Sequence, residues 1–143
     1  MTTITYKDGV IAYDSLAVSD ITIVDNNFDK HIEKDNVHFF FSGCVADITK
    51  LIECYFGAKH KINSNSSAIV YDKNDLFIIG FGKNGNYYCD PERLDNCIAI
   101  GSGTDHALTA MDLGCSAKKA IKMAAKRDTC TGGKIRKFKI NGI

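Results

Sequence analysis

The chain has no tryptophan and only one proline, Pro91, among its 143 residues. With so few prolines, its strands and helices must be ended by glycine, asparagine and aspartate turns. No apolar run approaches the roughly eighteen residues of a bilayer-spanning helix, so no membrane segment is expected. The first fifteen residues carry neither a basic leader nor an apolar core segment, and no signal peptide is expected there. Six cysteines are present (Cys44, Cys54, Cys89, Cys97, Cys115 and Cys130), but no two form a C-x-x-C pair and no histidine sits beside them at ligand spacing. That pattern speaks against a zinc site, and no metal or cofactor is expected. Free thiols without a secretory signal point to a reducing compartment, the cytoplasm by default. The net charge of +1 gives the whole molecule no strong field toward any partner.

Charge is nevertheless uneven. Nine of the eighteen basic residues fall between Lys118 and Lys139, with only Asp128 against them. That block keeps nucleic-acid binding open as one reading. The plainer reading is that Lys118, Lys119, Lys122 and Lys126 form the solvated face of an amphipathic helix, and nucleic acid is not the expected partner.

The length suits one domain, 1–143, with a core of its own. Taken in order, Thr3 to Lys7 reads as a strand, Asp8-Gly9 as a tight turn and Val10 to Val18 as a second strand. Ile21 to Val24 extends the strand region, and Phe28 to Ile32 alternates apolar and charged residues as a strand would. Val37 to Phe41 is an aromatic strand, and a helix is expected from Cys44 to Phe56 with Gly57 as its stop. Ala58 to Ser66 is polar and reads as a loop. Ser67 to Asp72, Leu76 to Phe81 and Tyr87 to Cys89 are three more strands. Asp90 to Asn96, which holds Pro91, reads as a loop, and Cys97 to Ile100 as a short strand. Helices are expected over Thr104 to Leu113 and, capped by Ser116, through Ala125, before a last strand from Ile135 to Ile140. Runs of strands separated by runs of helices argue an α+β fold of two antiparallel sheets with helices outside.

The start of the chain holds an unusual chemical option. A small residue after Met1 permits its removal, and Thr2 would then be N-terminal. An N-terminal threonine joins a hydroxyl nucleophile to an α-amine whose pKa is about 7.7–8.0, close enough to neutrality to accept a proton. Otherwise Thr2 and Thr3 are simply β-formers that open a strand. Asp14 is read within the second strand, where a carboxylate must face water or a partner. Lys30 is either a solvated surface lysine or a buried one that sets its neighbours' protonation.

Five strings in order then resemble the proteasome β-subunit and bacterial HslV family of N-terminal-nucleophile (Ntn) hydrolases. They are Thr2-Thr3-Ile4, Ala12-Tyr13-Asp14-Ser15, Phe41-Ser42-Gly43-x-x-Ala46-Asp47, Ile98-Ala99-Ile100-Gly101-Ser102-Gly103 and Arg127-Asp128-x-x-Thr131-Gly132-Gly133. The resemblance implies a four-layer αββα sandwich and a threonine peptidase that assembles into a ring with its sites inside. Thr2 matches the nucleophile, Asp14 the aspartate that pairs with the active-site lysine, and Lys30 that lysine, with Lys34 as the fallback. Gly43 matches the oxyanion-hole glycine. Ser102, Asp128 and Thr131 match the cluster that supports the threonine amine, with Thr131 where the family has serine. Ala17, Phe28, Phe41 and Val45 match the first specificity pocket, which implies cleavage of unfolded polypeptides after apolar residues. An ATP-dependent unfoldase is the partner that the resemblance implies. One departure is visible: the polar segment 58–66 stands where the family has a second long helix, so the first helical layer is expected to be shortened. The alternative function is a catalytically inactive Ntn-fold scaffold or modulator subunit, the state in which a retained Met1 would also leave the chain.

Overall fold

The computed structural model describes residues 2–140. Strands β1 (Thr3–Lys7) and β2 (Val10–Tyr13) pair across a turn whose two residues, Asp8 and Gly9, have φ of 50° and 80°. Positive φ at both positions is what a type I′ turn needs, and its twist matches the strands it joins. A small hairpin, β3 (Ala17–Ser19) with β4 (Thr22–Asp25), follows. Then come β5 (His31–Lys34), β6 (Val37–Ser42), helix α1 (Val45–Tyr55), β7 (Ser67–Asp72), β8 (Asp75–Phe81), β9 (Tyr87–Glu92) and β10 (Ile98–Gly101). Helices α2 (Thr104–Asp112) and α3 (Ala117–Ala125) precede β11 (Arg136–Lys139).

The main strands form two antiparallel sheets, one ordered β10-β1-β2-β11 and the other β5-β6-β7-β8-β9. Side chains alternate across each strand, so every second residue enters the space between the sheets. Ile4, Tyr6, Ile11 and Tyr13 from the first sheet meet Phe40, Ile69, Tyr71 and Leu76 from the second. The intervening residues face outward. Phe39, Phe41, Val70 and Ile79 take Ile48, Leu51 and Ile52 of α1. On the opposite face, Ala12 and Ala99 receive the alanine-rich sides of α2 and α3. Small residues on both partners let helix and sheet approach closely. Ser116 caps α3 as expected, accepting a hydrogen bond from the Lys119 N–H at 3.2 Å.

The result is an αββα sandwich with α1 alone on one outer face, because segment 58–66 forms no helix. Three boundaries differ from the sequence reading. The expected strand Val10 to Val18 is cut after Tyr13, because Asp14, Ser15 and Leu16 leave the ladder to meet long-range partners. The strand expected from Phe28 starts only at His31. The expected loop Asp90 to Asn96 instead begins as strand, since β9 runs on through Pro91 to Glu92. Strand β9 is an edge strand, where the proline's missing N–H costs no ladder bond.

Ala124 shows how tightly the helices are seated. It is fully buried, and a Cβ built on Gly103 would lie 3.1 Å from its own Cβ. Ala124→Leu is expected to lower unfolding stability by about 1–3 kcal/mol, as overpacking does. Urea titration checks this, and an unchanged midpoint would contradict the close packing.

Candidate active site

The site is built where β1 begins and the chain leaves β2. Asp14, the first residue beyond β2, is held from three sides. Its Oδ1 accepts from Lys30 Nζ at 2.8 Å and from the Thr3 N–H at 3.4 Å, and its Oδ2 accepts from the Gly132 N–H at 2.9 Å. Lys30 reaches in from the residue before β5, and its own carbonyl accepts from the Phe41 N–H at 3.0 Å. Lys30 Nζ also donates to the Thr2 hydroxyl oxygen. Thr2, Asp14 and Lys30 are 1%, 0% and 4% exposed. Burial is the main influence on both charged groups: it pushes the Asp14 carboxyl up and the Lys30 ammonium down. Their mutual attraction and hydrogen bond oppose both shifts.

A second cluster lies beside the first. Ser102 Oγ and Thr131 Oγ1 each donate to Asp128 Oδ2 at 2.6 Å, and the Cys130 N–H donates to Oδ1 at 3.1 Å. The Thr131 proton is thereby used, so the Thr3 hydroxyl, 2.6 Å away, must donate to Thr131 Oγ1. Partial burial works against the Asp128 carboxylate, but these donors outweigh it and hold its pKa below the ordinary range. Ser102 Oγ also lies 3.4 Å from the Thr2 carbonyl oxygen. The Gly-Ser-Gly string has a steric reason here. Gly101 has φ of 99°, and a Cβ on it would fall 1.9 Å from the Thr2 carbonyl oxygen.

Thr2 and Lys30 form one wall of a cavity of about 210 Å³. Ala17, Phe28, Phe41, Gly43 and Val45, all named from the sequence, line the rest, together with Leu16, Val18 and Cys44, which were not. Gly43 has φ of 122°, and a Cβ there would lie 2.3 Å from Ser66 Oγ, so only glycine fits this strand-to-helix corner. The fallback lysine is placed elsewhere: Lys34 sets its ammonium 5.4 Å from the centre of the Phe56 ring, at the far end of β5. The expected removal of Met1 concerns a residue outside the described ones. Among the described residues, no group of three or more metal-ligating side chains occurs, and no helix is long and apolar enough to cross a membrane. The glycine whose N–H braces Asp14 was not singled out. Its signal was present in Thr131-Gly132-Gly133, read only for the hydroxyl.

Comparison with solved structures bears on this arrangement. BPH from Thiobacillus denitrificans, solved alone and in complex with epoxomicin, matches over 97% of this chain with a TM-score of 0.69 and 16% identity. The match covers 97% of the BPH chain in the complex and 96% of it alone. Eukaryotic HslV from Trypanosoma brucei matches over 97% of this chain and 99% of its own, with a TM-score of 0.67 and 18% identity. The fold is that of the Ntn hydrolases. No family model and no curated protein matches the sequence. In this Ntn fold, β1 carries Thr2 to the cavity, and the strap between β2 and β5 supplies Asp14, Ala17, Phe28 and Lys30.

Breaking the buried pair tests its role in the fold. Asp14→Asn leaves the Lys30 charge buried and unmatched, and a loss of about 3–5 kcal/mol is expected. Lys30 would then hold a folded pKa still further below its unfolded one. The unfolded state binds the extra proton, so the deficit grows as pH falls and shrinks as pH rises toward the ordinary lysine range. Asp14→Asn/Lys30→Met should recover most of the loss. Urea titrations across pH decide this, and a single variant within 1 kcal/mol of the parent at every pH (roughly the worth of a surface pair) would refute it.

Proposed function

We propose that the chain is a threonine peptidase of the proteasome and HslV type, whose nucleophile is the Thr2 hydroxyl once Met1 is removed. The observation that carries the reading is the buried contact of Thr2 Oγ1 with a lysine that is itself ion-paired to a fully buried aspartate, at the wall of an apolar-lined cavity. A threonine hydroxyl is a weak nucleophile until a base stands within hydrogen-bond reach. Burial lowers the proton affinity of Lys30, which makes its neutral form, the one able to accept that proton, easier to reach than for an ordinary lysine. Asp14 fixes the position of the Lys30 amine.

The steps follow from this placement. Thr2 Oγ1 attacks the substrate carbonyl carbon as its proton passes to Lys30. The Gly43 N–H stabilises the resulting oxyanion; one such donor is worth roughly 3 kcal/mol. Collapse of the tetrahedral intermediate breaks the C–N bond as the protonated Thr2 α-amine gives its proton to the departing amine. Water then hydrolyses the Thr2 ester: the now neutral α-amine takes a proton from the attacking water, and Lys30 returns its proton to Thr2 Oγ1, which restores the hydroxyl. The Ser102, Asp128 and Thr131 cluster keeps the Thr2-Thr3 backbone in place behind the nucleophile.

The apolar walls of Ala17, Phe28, Phe41 and Val45 suit cleavage after apolar residues in unfolded polypeptides. Assembly of copies into a ring with inward-facing sites belongs to the same reading. The exposed run of Ile21, Ile23 and Val24 on the β3–β4 hairpin supports it, since clustered apolar side chains left in water mark contact surfaces. An ATP-dependent unfoldase would supply the chains, and the single-helix layer at α1 gives it a smaller outer face to meet.

The test is peptide hydrolysis by three proteins. Thr2→Ala should fall to background while unfolding at the parent's urea midpoint. Lys30→Arg, which keeps the charge but cannot give up its proton, should lose at least about 100-fold in kcat/KM. The parent's kcat/KM should rise with pH through an apparent pKa below the ordinary lysine value of about 10.4. An active Thr2→Ala protein would overturn the proposal, and full activity in Lys30→Arg would remove the lysine as base. In a peptide panel, cleavage mainly after Lys, Arg or Glu would refute the apolar preference.

A further inference from the structure

Asp14 and Lys30 are the two ends of one strap. The chain leaves β2 at Asp14, makes the β3–β4 hairpin and returns at Lys30. Along the way it supplies Leu16, Ala17, Val18 and Phe28 to the cavity. The ends meet through the ion pair and through the Phe28 N–H, which donates to the Ser15 carbonyl at 2.9 Å. One side chain from outside the strap grips both ends. Arg136 lies on β11 opposite Tyr13 of β2, so its guanidinium extends past the end of that strand. There Nη1 donates to Ser15 Oγ and, at 3.3 Å, to the Phe28 carbonyl. Nη2 donates to the Asn27 carbonyl at 3.3 Å and to Asn27 Oδ1 at 2.8 Å.

We infer that Arg136 is a positioning residue for the proposed reaction, clamping both ends of the strap so that Asp14 and Lys30 are held in register behind Thr2. The inference rests on the peptidase reading given above. Three points favour a clamp over an ordinary surface arginine. None of the ion pairs among the described residues includes Arg136, so its charge meets neutral oxygens rather than a carboxylate. Its four acceptors belong to Ser15, Asn27 and Phe28, the residues next to Asp14 and those just before Lys30. Ser15 is fully buried, so with the guanidinium in place its hydroxyl is cut off from water. A planar fork of five N–H donors fits this set, and a lysine ammonium, a point donor, cannot span it. The backbone adds weaker ties: the Ser15 N–H donates to the Gly132 carbonyl at 3.1 Å and the Lys134 N–H to the Asn26 carbonyl at 3.2 Å. The strap should therefore loosen without detaching when Arg136 is lost.

Arg136→Ala, Arg136→Lys and Asn27→Ala are compared with the parent in peptide hydrolysis. Arg136→Ala is expected to lose ten- to a hundredfold in kcat with KM within threefold. Its activity profile should also move toward higher pH, because a loosened strap admits water to Lys30 and relieves the burial that lowers its pKa. Arg136→Lys should recover part of the loss, and millimolar ethylguanidinium should restore Arg136→Ala severalfold while leaving the parent unaffected. Should Arg136→Ala fail to fold, Arg136→Lys and the exposed Asn27→Ala still decide, each expected to show the kcat loss and the alkaline shift in smaller measure. An active parent with kcat and pH profile unchanged in all folded variants overturns the inference and leaves the peptidase reading intact. A parent with no peptidase activity overturns that reading instead, and the clamp with it.

Discussion

The structure turns on one buried ion pair. Lys30 and Asp14 lie 2.8 Å apart, almost without access to water, and neither would be stable there alone. Burial disfavours both charges, so each depends on the other and on the backbone donors around them. That dependence shapes the chain on either side. Strand β2 must stop at Tyr13 so that the Asp14 carboxylate can reach the Thr3 and Gly132 N–H groups as well as Lys30. The returning segment must enter β5 at the residue after Lys30. A buried polar group held by so many partners fixes one geometry, which is what the proposed reaction at the neighbouring Thr2 hydroxyl calls for.

The rest of the sandwich serves to hold these pieces at fixed separation. The inter-sheet core locks β1 against β6 through Ile4, Tyr6 and Phe40. The alanine faces of α2 and α3 press on the back of β1, and the turn after α3 brings Asp128, Thr131 and Gly132 under Thr2 and Thr3. Glycines make that approach possible: a side chain at Gly101 would collide with the Thr2 carbonyl, and one at Gly43 with Ser66. The apolar cavity is a consequence of the same layout. It opens where the strap, the end of β6 and the start of α1 converge on Thr2.

Much of this was legible in the sequence because the relevant signals are local. The continuous aromatic run from Val37 to Phe41 marked a strand, and Phe39, Phe40 and Phe41 are all buried. Asp8-Gly9, Gly57 and Ser116 marked a turn, a helix end and a helix cap by their own backbone or side-chain chemistry. The ordered strings from Thr2 to Gly133 pointed to the fold that solved structures share over 97% of the chain. What escaped was set by distant partners. The apolar Ala17 and Val18 continue a strand pattern after Tyr13, and nothing local reveals that Asp14 is claimed by Gly132, 118 positions away. Pro91 reads as a break unless its strand is known to lie at an edge. Leu16, Val18 and Cys44 join the cavity only because three separate elements meet there, and Arg136 reads as one more basic residue until Ser15 and Asn27 are seen around it.

The most direct test of the central claim is the intact mass of the purified protein before and after incubation with epoxomicin, followed by peptide mapping. A mass lacking Met1, with one inhibitor added and mapped to Thr2, is the predicted result, and Thr2→Ala should take up none. Retained Met1, or a free Thr2 that never reacts in the assembled protein, would contradict the account and leave an inactive Ntn-fold scaffold as the better description of the chain.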